Sequence, residues 1–187
     1  MGRSRYTLTC QAQNLIEAVG FARRISLPLN EFITIQWSRS DAGAEPVARL
    51  KTMLDRAREW LRRRGLELTY IYVHERGDLG LLHSHIMIHV SGEHWFAFDS
   101  MLCQWMDSER QQGLIESKPV YDEQGLMRYL LKGVEPSGWS RSWGIATSDE
   151  GVIQGKRCGT SENIGTAART RFGLGYRSEP ESDHPVQ

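Results

Sequence analysis

The sequence has few cysteines and no long hydrophobic run. Its three cysteines, Cys10, Cys103 and Cys158, are far apart and form no CxxC pair, so neither a disulfide framework nor a thiolate zinc site is predicted. No apolar stretch approaches the ~18 residues that a membrane-spanning helix needs. The first residues, MGRSRYTLTC, lack the apolar core of a signal peptide. We therefore expect a cytoplasmic protein in a reducing compartment, without a membrane partner.

The chain also lacks a net charge, because 23 Lys and Arg residues balance 23 Asp and Glu residues. The overall charge therefore neither favours nor excludes a polyanionic partner. Basic residues are nevertheless concentrated in two segments. Residues 51–64 contain six basic side chains against two acidic ones, and residues 140–178 contain six against three. A solvated surface and a nucleic-acid-binding surface both fit these segments.

A length of 187 residues with 40% hydrophobic content is enough for one sizeable core. Beyond about residue 140 the content of Gly, Ser and Arg rises and the hydrophobic periodicity is lost. We therefore expect one domain at residues 1–140 and a disordered tail at residues 179–187. Between them, residues 141–178 form a basic extension that either packs on the domain or contacts DNA.

Hydrophobic periodicity predicts the order of the secondary-structure elements. Strands are predicted at 31–37, 66–74, 80–90 and 114–120, and helices at 46–65 and 94–111. This β-α-β-β-α-β order is that of a ferredoxin-like α+β domain. We expect an antiparallel sheet with helices packed mainly on one face and a functional site on the other. In front of these elements, residues 5–10 favour a short strand, and a helix is expected to begin at Asn14.

The strand at 80–90, GLLHSHIMIHV, is unusually rich in histidine. His83, His85 and His89 have the same parity, so their side chains share one face of the strand. Two imidazoles at i and i+2 can bind one metal ion, and an acidic residue on a neighbouring strand can add a third ligand. His74 and Glu75 lie just upstream. Polar surface histidines or a hydrogen-bonded pair would explain the pattern without a metal.

A second motif lies on a helix that Asp122 is expected to cap, EQGLMRYLLKG. Tyr129 and Lys132 are three residues apart and therefore share a helix face. A phenol beside an amine is the pattern of a nucleophile with an electrostatic helper. An amphipathic helix with an ordinary tyrosine and a solvated lysine fits the same residues.

Together these segments resemble the HUH endonuclease superfamily, which contains the rolling-circle replication initiators, the relaxases and the single-strand transposases. The resemblance runs from about Phe32 to Gly133 and consists of three motifs in order. These are the strand FITIQW, the sequence from Glu75 through Gly80 to the His83-x-His85 pair, and Tyr129-x-x-Lys132. The chain departs from the family at Ser84, where a hydrophobic residue is usual. The single tyrosine on its helix favours the single-tyrosine replication initiators.

The resemblance implies an HUH-type ferredoxin-like sheet with a divalent ion, Mn²⁺ or Mg²⁺, held by His83, His85 and a third ligand. Family-like spacing favours Glu75 as that ligand, whereas simple alternation along the strand favours His74. A bend at the end of the strand would bring Glu75 to the histidine face, and we expect this arrangement. We expect His89 to line the site without binding the ion.

The resemblance also implies the reaction. Tyr129 would attack the backbone of single-stranded DNA or of an origin hairpin, giving a 5′-phosphotyrosine and a free 3′-hydroxyl, with Lys132 as a nearby positive charge. The strands could later be rejoined without ATP. No GxxxxGK[ST] motif occurs in the sequence, so a separate host helicase would be needed. Basic segments could bind phosphates, and Trp37, Trp139 or Trp143 could stack on bases, whereas Trp60 and Trp105 are expected in the core.

Three other functions remain compatible with the sequence. A relaxase or a single-strand transposase would use the same chemistry. A non-catalytic, ferredoxin-like nucleic-acid-binding protein would use its histidines for a structural ion or for none. A metal-dependent hydrolase would attack with bound water, leaving Tyr129 only to orient the substrate.

Overall fold

The computed structural model describes residues 3–37, 46–76, 82–105 and 114–173. Its strands are β1 (Arg3–Ser4), β2 (Glu31–Gln36), β3 (Tyr70–Arg76), β4 (Leu82–Ile88), β5 (Ile115–Pro119), β6 (Ile153–Gln154) and β7 (Cys158–Thr160). Its α-helices are α1 (Thr9–Arg24), α2 (Pro46–Arg62), α3 (Trp95–Trp105), α4 (Glu123–Leu130), α5 (Gly138–Ser142) and α6 (Thr166–Arg171). The tail predicted to be disordered, residues 179–187, lies outside the described residues. Within the described ranges, no helix has the length and apolarity to cross a membrane.

Five strands form one sheet in the order β5-β2-β4-β3-β7, and every neighbouring pair is antiparallel. Together with α2 and α3, the strands β2 to β5 follow the β-α-β-β-α-β order along the chain. The predicted α+β, ferredoxin-like fold class is therefore confirmed. The strands β1 and β6 form a separate two-stranded sheet.

Helices cover both faces of the five-stranded sheet, whereas the sequence led us to expect them mainly on one. One core lies between the sheet and the helices α2 and α3. A second core joins α1 and α4 to Ile71, Val73 and Met87 of the opposite face. Both parities of β3 and β4 carry apolar side chains, so both faces need cover from water. The predicted site therefore lies between the sheet and α4.

The N-terminal region differs from the prediction. The strand expected at residues 5–10 is wrong, because only Arg3–Ser4 is a strand and α1 begins at Thr9, before Asn14. The Leu8 N–H donates a hydrogen bond to the Gln11 side chain at 3.0 Å and so caps the first turn. The β-branched threonines of this segment obscured a helical pattern of buried residues, namely Ala12, Leu15, Ala18, Val19 and Ala22.

The segment after residue 140 is part of the folded unit. The strand β7 pairs with β3 along Ile71–Val73 and forms one edge of the sheet. Ile145, Cys158 and Ile164 are buried in the core that contains α1 and α4. The boundary expected at residue 140 falls inside α5. The extension therefore reaches the same sheet face as the predicted site.

Candidate active site

Glu75, His83 and His85 are brought together by the pairing of β3 with β4. Glu75 lies directly opposite His83 in the register of the two strands, and the rings of His83 and His85 have centroids 6.2 Å apart. His85 Nε2 is 3.1 Å from Glu75 Oε2, and both side chains are buried. Since a carboxylate only accepts hydrogen bonds, Nε2 carries the proton in this contact.

The side chain of His85 is held on β2 as well. Its Nδ1 is 3.1 Å from the hydroxyl oxygen of Thr34, its neighbour across the strand pair. The ring of Phe32 stacks on the imidazole with a centroid distance of 5.5 Å and an interplanar angle of 16°. In the neutral form of the ring with Nε2 donating to the carboxylate, Nδ1 accepts from the Thr34 hydroxyl. The contacts with Thr34 and Phe32 fix the orientation of His85.

His74 faces the opposite side of the sheet. Its Nδ1 is 2.6 Å from Ser84 Oγ, which also accepts a 2.5 Å hydrogen bond from Trp37 Nε1. Burial lowers the pKa of His74 to about 4, so the imidazole is neutral at neutral pH. The structure thus brings Glu75, and not His74, to the paired histidines.

The expected bend in β3 is absent. Ile71, Val73 and Glu75 share one face of a continuous strand, and that face is covered by α1 and α4. The alternation argument had assumed that the apolar residues and the histidines occupy opposite faces. The proposed base-stacking role of Trp37 is wrong as well, because this side chain is buried and hydrogen bonded to Ser84.

The helix α4 supplies Tyr129, and Lys132 follows directly after its last turn. The predicted cap is present, since Asp122 Oδ1 accepts a hydrogen bond from the Gly125 N–H at 2.9 Å. Met127 and Leu130 are buried against the core, which directs Tyr129 and Lys132 toward the histidine cluster.

Tyr129 is 44% exposed and sits edge-on to His85, with ring centroids 5.5 Å apart. Lys132 Nζ lies 4.2 Å from the centroid of the Tyr129 ring and 2.9 Å from Glu75 Oε2. An accessible phenol thus lies beside an ammonium group and a buried imidazole–carboxylate pair. All five side chains that the sequence singled out belong to this one cluster.

The charges of the cluster depend on one another. Burial raises the pKa of Glu75, but the hydrogen bonds and charges of His85 and Lys132 outweigh it and leave the pKa lowered. Burial likewise lowers the pKa of Lys132, and the contact with Glu75 outweighs it, so that the pKa is raised. The pKa of His83 is lowered, first by burial and then by His85. Glu75 and Lys132 are therefore an ion pair at neutral pH.

The donor atoms of the cluster suit a divalent cation, although their arrangement is that of a hydrogen-bonded cluster. Among the described residues, no three His, Cys, Asp or Glu side chains converge on a common point in the manner of a metal site. Glu75 Oε1 is nevertheless buried without a hydrogen-bond partner. A carboxylate oxygen without a hydrogen-bond partner, next to two imidazoles, is a donor set that binds divalent transition metals such as Mn²⁺.

The sequence did not single out Thr34 or Glu150 as site residues. Thr34 could have been predicted from strand alternation, because its side chain shares a face of β2 with that of Phe32, and both contact His85. Glu150 lies in the aperiodic extension, and its carboxylate Oε2 is 3.7 Å from Lys132 Nζ. No sequence pattern links Glu150 to the cluster, since the contact depends on how the extension folds back.

The basic segment at 51–64 lies on α2, against the other face of the sheet. Asp55 of the same helix pairs with Lys51 and Arg58, and Glu59 pairs with Arg62 and Arg63. This intrahelical pairing is typical of a solvated helix face.

Comparison with known families gives one match. The model described as replication-associated protein ORF2/G2P matches residues 30–136, which is more than half of the chain and includes all five predicted site residues. No curated protein and no solved structure shows significant similarity to the chain.

Proposed function

The chain belongs to the family of replication-associated proteins ORF2/G2P, and on this basis we propose that it is a metal-dependent endonuclease and strand transferase acting on single-stranded DNA at a replication origin. The observation that carries the proposal is the position of Tyr129. Its half-exposed ring contacts the buried His85–Glu75 pair and lies under the Lys132 ammonium group. A tyrosine with only a structural role would not need this combination of exposure and buried charge.

In this proposal Tyr129 is the nucleophile. A phenol with an ordinary pKa of about 10 is mostly protonated at neutral pH, so the attacking oxygen needs electrostatic help. Lys132 supplies a positive charge 4.2 Å from the centroid of the Tyr129 ring. The phenol releases its proton to solvent and its oxygen forms a bond to phosphorus, while the bond from phosphorus to O3′ breaks and the leaving oxygen takes up a proton from solvent. The products are a 5′-phosphotyrosine and a free 3′-hydroxyl.

Glu75, His83 and His85 would hold the divalent cation, Mn²⁺ or Mg²⁺. When bound, such a cation offsets the charge that develops on a scissile phosphate. Phe32 and Thr34 keep His85 in the orientation described above. Because one phosphodiester link is exchanged for another, an incoming 3′-hydroxyl can reverse the reaction and rejoin the strands without ATP.

The proposed substrate is single-stranded DNA or the exposed loop of an origin hairpin. Tyr129 lies on a short helix packed over the sheet, so the DNA backbone must come close to the sheet for the phenol to reach it. A single strand or a hairpin loop can approach in this way, whereas a duplex is too bulky. Duplex unwinding would then be the task of a separate host helicase.

The proposal is tested by looking for a covalent protein–DNA adduct. The protein is incubated with Mn²⁺ or Mg²⁺ and a pool of single-stranded oligonucleotides labelled at their 3′ ends, and then resolved on a denaturing gel. A 5′-phosphotyrosine transfers the 3′ label to the protein, whereas a 5′ label is released. We expect Tyr129→Phe to abolish the labelled band. Tyr121→Phe is the matched control, because Tyr121 is 91% exposed and precedes α4, and it should behave as the wild type.

Three results would contradict this mechanism. Adduct formation by Tyr129→Phe would mean that another residue is the nucleophile. Cleavage without any adduct would favour attack by bound water, and DNA binding without cleavage under either metal would favour a non-catalytic protein.

A further inference from the structure

Lys132 is placed between two carboxylates, of which only one lies within the family-matching segment. Its ammonium is 2.9 Å from Glu75 Oε2 and 3.7 Å from Glu150 Oε2. Glu150 is buried, and its other oxygen, Oε1, accepts a 2.5 Å hydrogen bond from the Ser148 hydroxyl. The second carboxylate is therefore held in place next to the amine, and residues 30–136 do not contain it.

The backbone around Glu150 is joined to both elements of the active site. The Ser148 N–H donates to the Lys132 carbonyl at 2.8 Å, and the Arg76 N–H donates to the Glu150 carbonyl at 2.8 Å. The buried guanidinium of Arg157 donates to the carbonyls of Gly151 and His74. The carboxylate of Glu150 is thus anchored to the end of α4 and to β3 at the same time.

Two cations compete for the carboxylate of Glu75 in the proposed function. Lys132 holds one of its oxygens, and a divalent cation bound by Glu75, His83 and His85 would draw on the same negative charge. A cation beside the ammonium also repels it, and an exposed, unpaired lysine side chain gains conformational freedom on release. With Glu75 as its only partner, Lys132 would leave the tyrosine when the cation binds.

We propose that Glu150 is a positioning residue that keeps Lys132 beside Tyr129 when Glu75 binds a divalent cation. This inference rests on the proposed function. Before the cation binds, Glu75 is the principal partner of Lys132. After binding, the ammonium shifts its pairing toward Glu150 and stays near the Tyr129 ring. The aperiodic extension thus supplies a carboxylate that the reaction needs.

The first test measures the mobility of Lys132 and requires no nicking. The chain has only four lysines, so protein with isotope-labelled lysine side chains gives a simple NMR spectrum, in which Lys132→Arg assigns the signal. We expect Lys132 to be ordered in the wild type with and without Mg²⁺. In Glu150→Gln it should be ordered without Mg²⁺ and mobile once Mg²⁺ is added.

Asp149→Asn is the matched control. It removes the same charge one residue away, from an exposed carboxylate that pairs with Arg5, and Lys132 should behave as in the wild type. Glu150→Met provides a second variant should Glu150→Gln not fold, because it keeps the aliphatic chain that packs against Gly133. An ordered Lys132 in Mg²⁺-bound Glu150→Gln would overturn the proposal, as would a mobile one before Mg²⁺ is added.

The second test follows single-turnover adduct formation. Glu150→Gln should slow the reaction at saturating DNA by about tenfold or more, leave the Kd for DNA unchanged, and add no further loss in a Lys132→Met background. Independent, additive losses would indicate a role other than holding Lys132 and would overturn the proposal. If the proposed function is wrong, the wild-type protein itself forms no adduct, which distinguishes this outcome from a failure of the inference about Glu150. If neither Mg²⁺ nor Zn²⁺, a second diamagnetic ion that histidine and carboxylate ligands bind well, shifts the His83 and His85 resonances, no divalent cation binds there, and the role of Glu150 is overturned with it.

Discussion

His74 and Glu75 are adjacent in the chain but belong to different environments, because successive side chains of a strand face opposite sides of the sheet. His74 is buried, neutral and bound to Ser84, where it supports the packing of Trp37. Glu75 is buried and charged, and it binds His85 and Lys132. A buried charge is tolerated when hydrogen bonds and an opposite charge compensate for lost hydration.

Glu31 provides a pH-dependent prediction at the same scale. Burial, with the nearby charge of Asp99, raises the pKa of Glu31 from 4.5 to about 7. Between these values the folded state keeps a proton that the unfolded chain releases, so the free energy of unfolding falls as the pH rises from 4.5 to 7. We expect Glu31→Gln to raise the free energy of unfolding at pH 8 by up to about 3 kcal/mol, and to have little effect at pH 4.

Urea denaturation at both pH values measures this difference. Glu116→Gln serves as the control, since Glu116 lies on the neighbouring strand β5 with an exposed side chain paired to Lys118, and little change is expected at either pH. A Glu31→Gln effect that is the same at pH 4 and pH 8 would show that folding does not raise the pKa of Glu31.

At the scale of elements, the pairing of β3 with β4 determines the site. One register places Glu75 opposite His83 and Val73 opposite His85. A slip by one residue would turn the acid to the far face and separate it from the histidines. The strand β7 continues the sheet beyond β3, so β3 has a neighbour on each side along the residues that precede Glu75.

The contact of β7 with β3 leads to a prediction about Gly159, for which Gly20 of α1 is the comparison. A Cβ atom added to Gly159 would lie 2.8 Å from the Tyr72 ring, so Gly159→Ala forces the edge strand and the ring apart. We expect it to lower the free energy of unfolding by about 1–3 kcal/mol. Gly20, inside α1, has no atom within 4 Å of its added Cβ, and Gly20→Ala should stabilise the protein by about 0.5–1 kcal/mol. Thermal unfolding of both variants checks the opposite signs, and destabilisation by both would contradict the structure.

At the scale of the whole molecule, the folded unit is larger than the segment that carries the motifs. Residues 30–136 match the family model, but α1 precedes this segment and β7 follows it. The helix α1 packs against the sheet face that holds the site, and β7 extends the sheet at the edge beside β3. Arg157 ties the two flanking regions together, because its buried guanidinium donates to the carbonyls of Ser4 and Arg5 as well as to that of His74.

A fragment that contains only residues 30–136 is therefore expected not to fold. Without α1 and β7, one face of the sheet exposes its apolar side chains to water, and the buried His74 carbonyl loses its Arg157 donor. Circular dichroism during heating should show no cooperative transition for this fragment, whereas a fragment of residues 3–173 should unfold like the full chain. Cooperative unfolding of the shorter fragment would mean that the flanking regions are dispensable.

Much of the central architecture could be predicted from the sequence. The strands at 31–37 and 80–90 and the helix that Asp122 caps are local patterns, and local patterns depend on propensity and periodicity. The errors have physical causes. The strand expected at 5–10 followed the β-branched residues of the segment, whereas the packing of Leu15 and Val19 against the core selected a helix. We expected helices mainly on one face of the sheet, but residues of both parities in β3 are apolar, so both faces have to be covered.

The sequence by itself determined which of the predicted site residues can share a face. His83 and His85 share a face because strands alternate, and Tyr129 and Lys132 share a face because helices turn every 3.6 residues. Only the tertiary structure decided which residues join them. Glu75, which the sequence favoured over His74 only by resemblance, joins them because the histidine face is the one packed under α1 and α4. Glu150 comes next to Lys132 because the extension folds back across β3. Such long-range contacts depend on the packing of the whole chain and leave no periodic signal in any one segment.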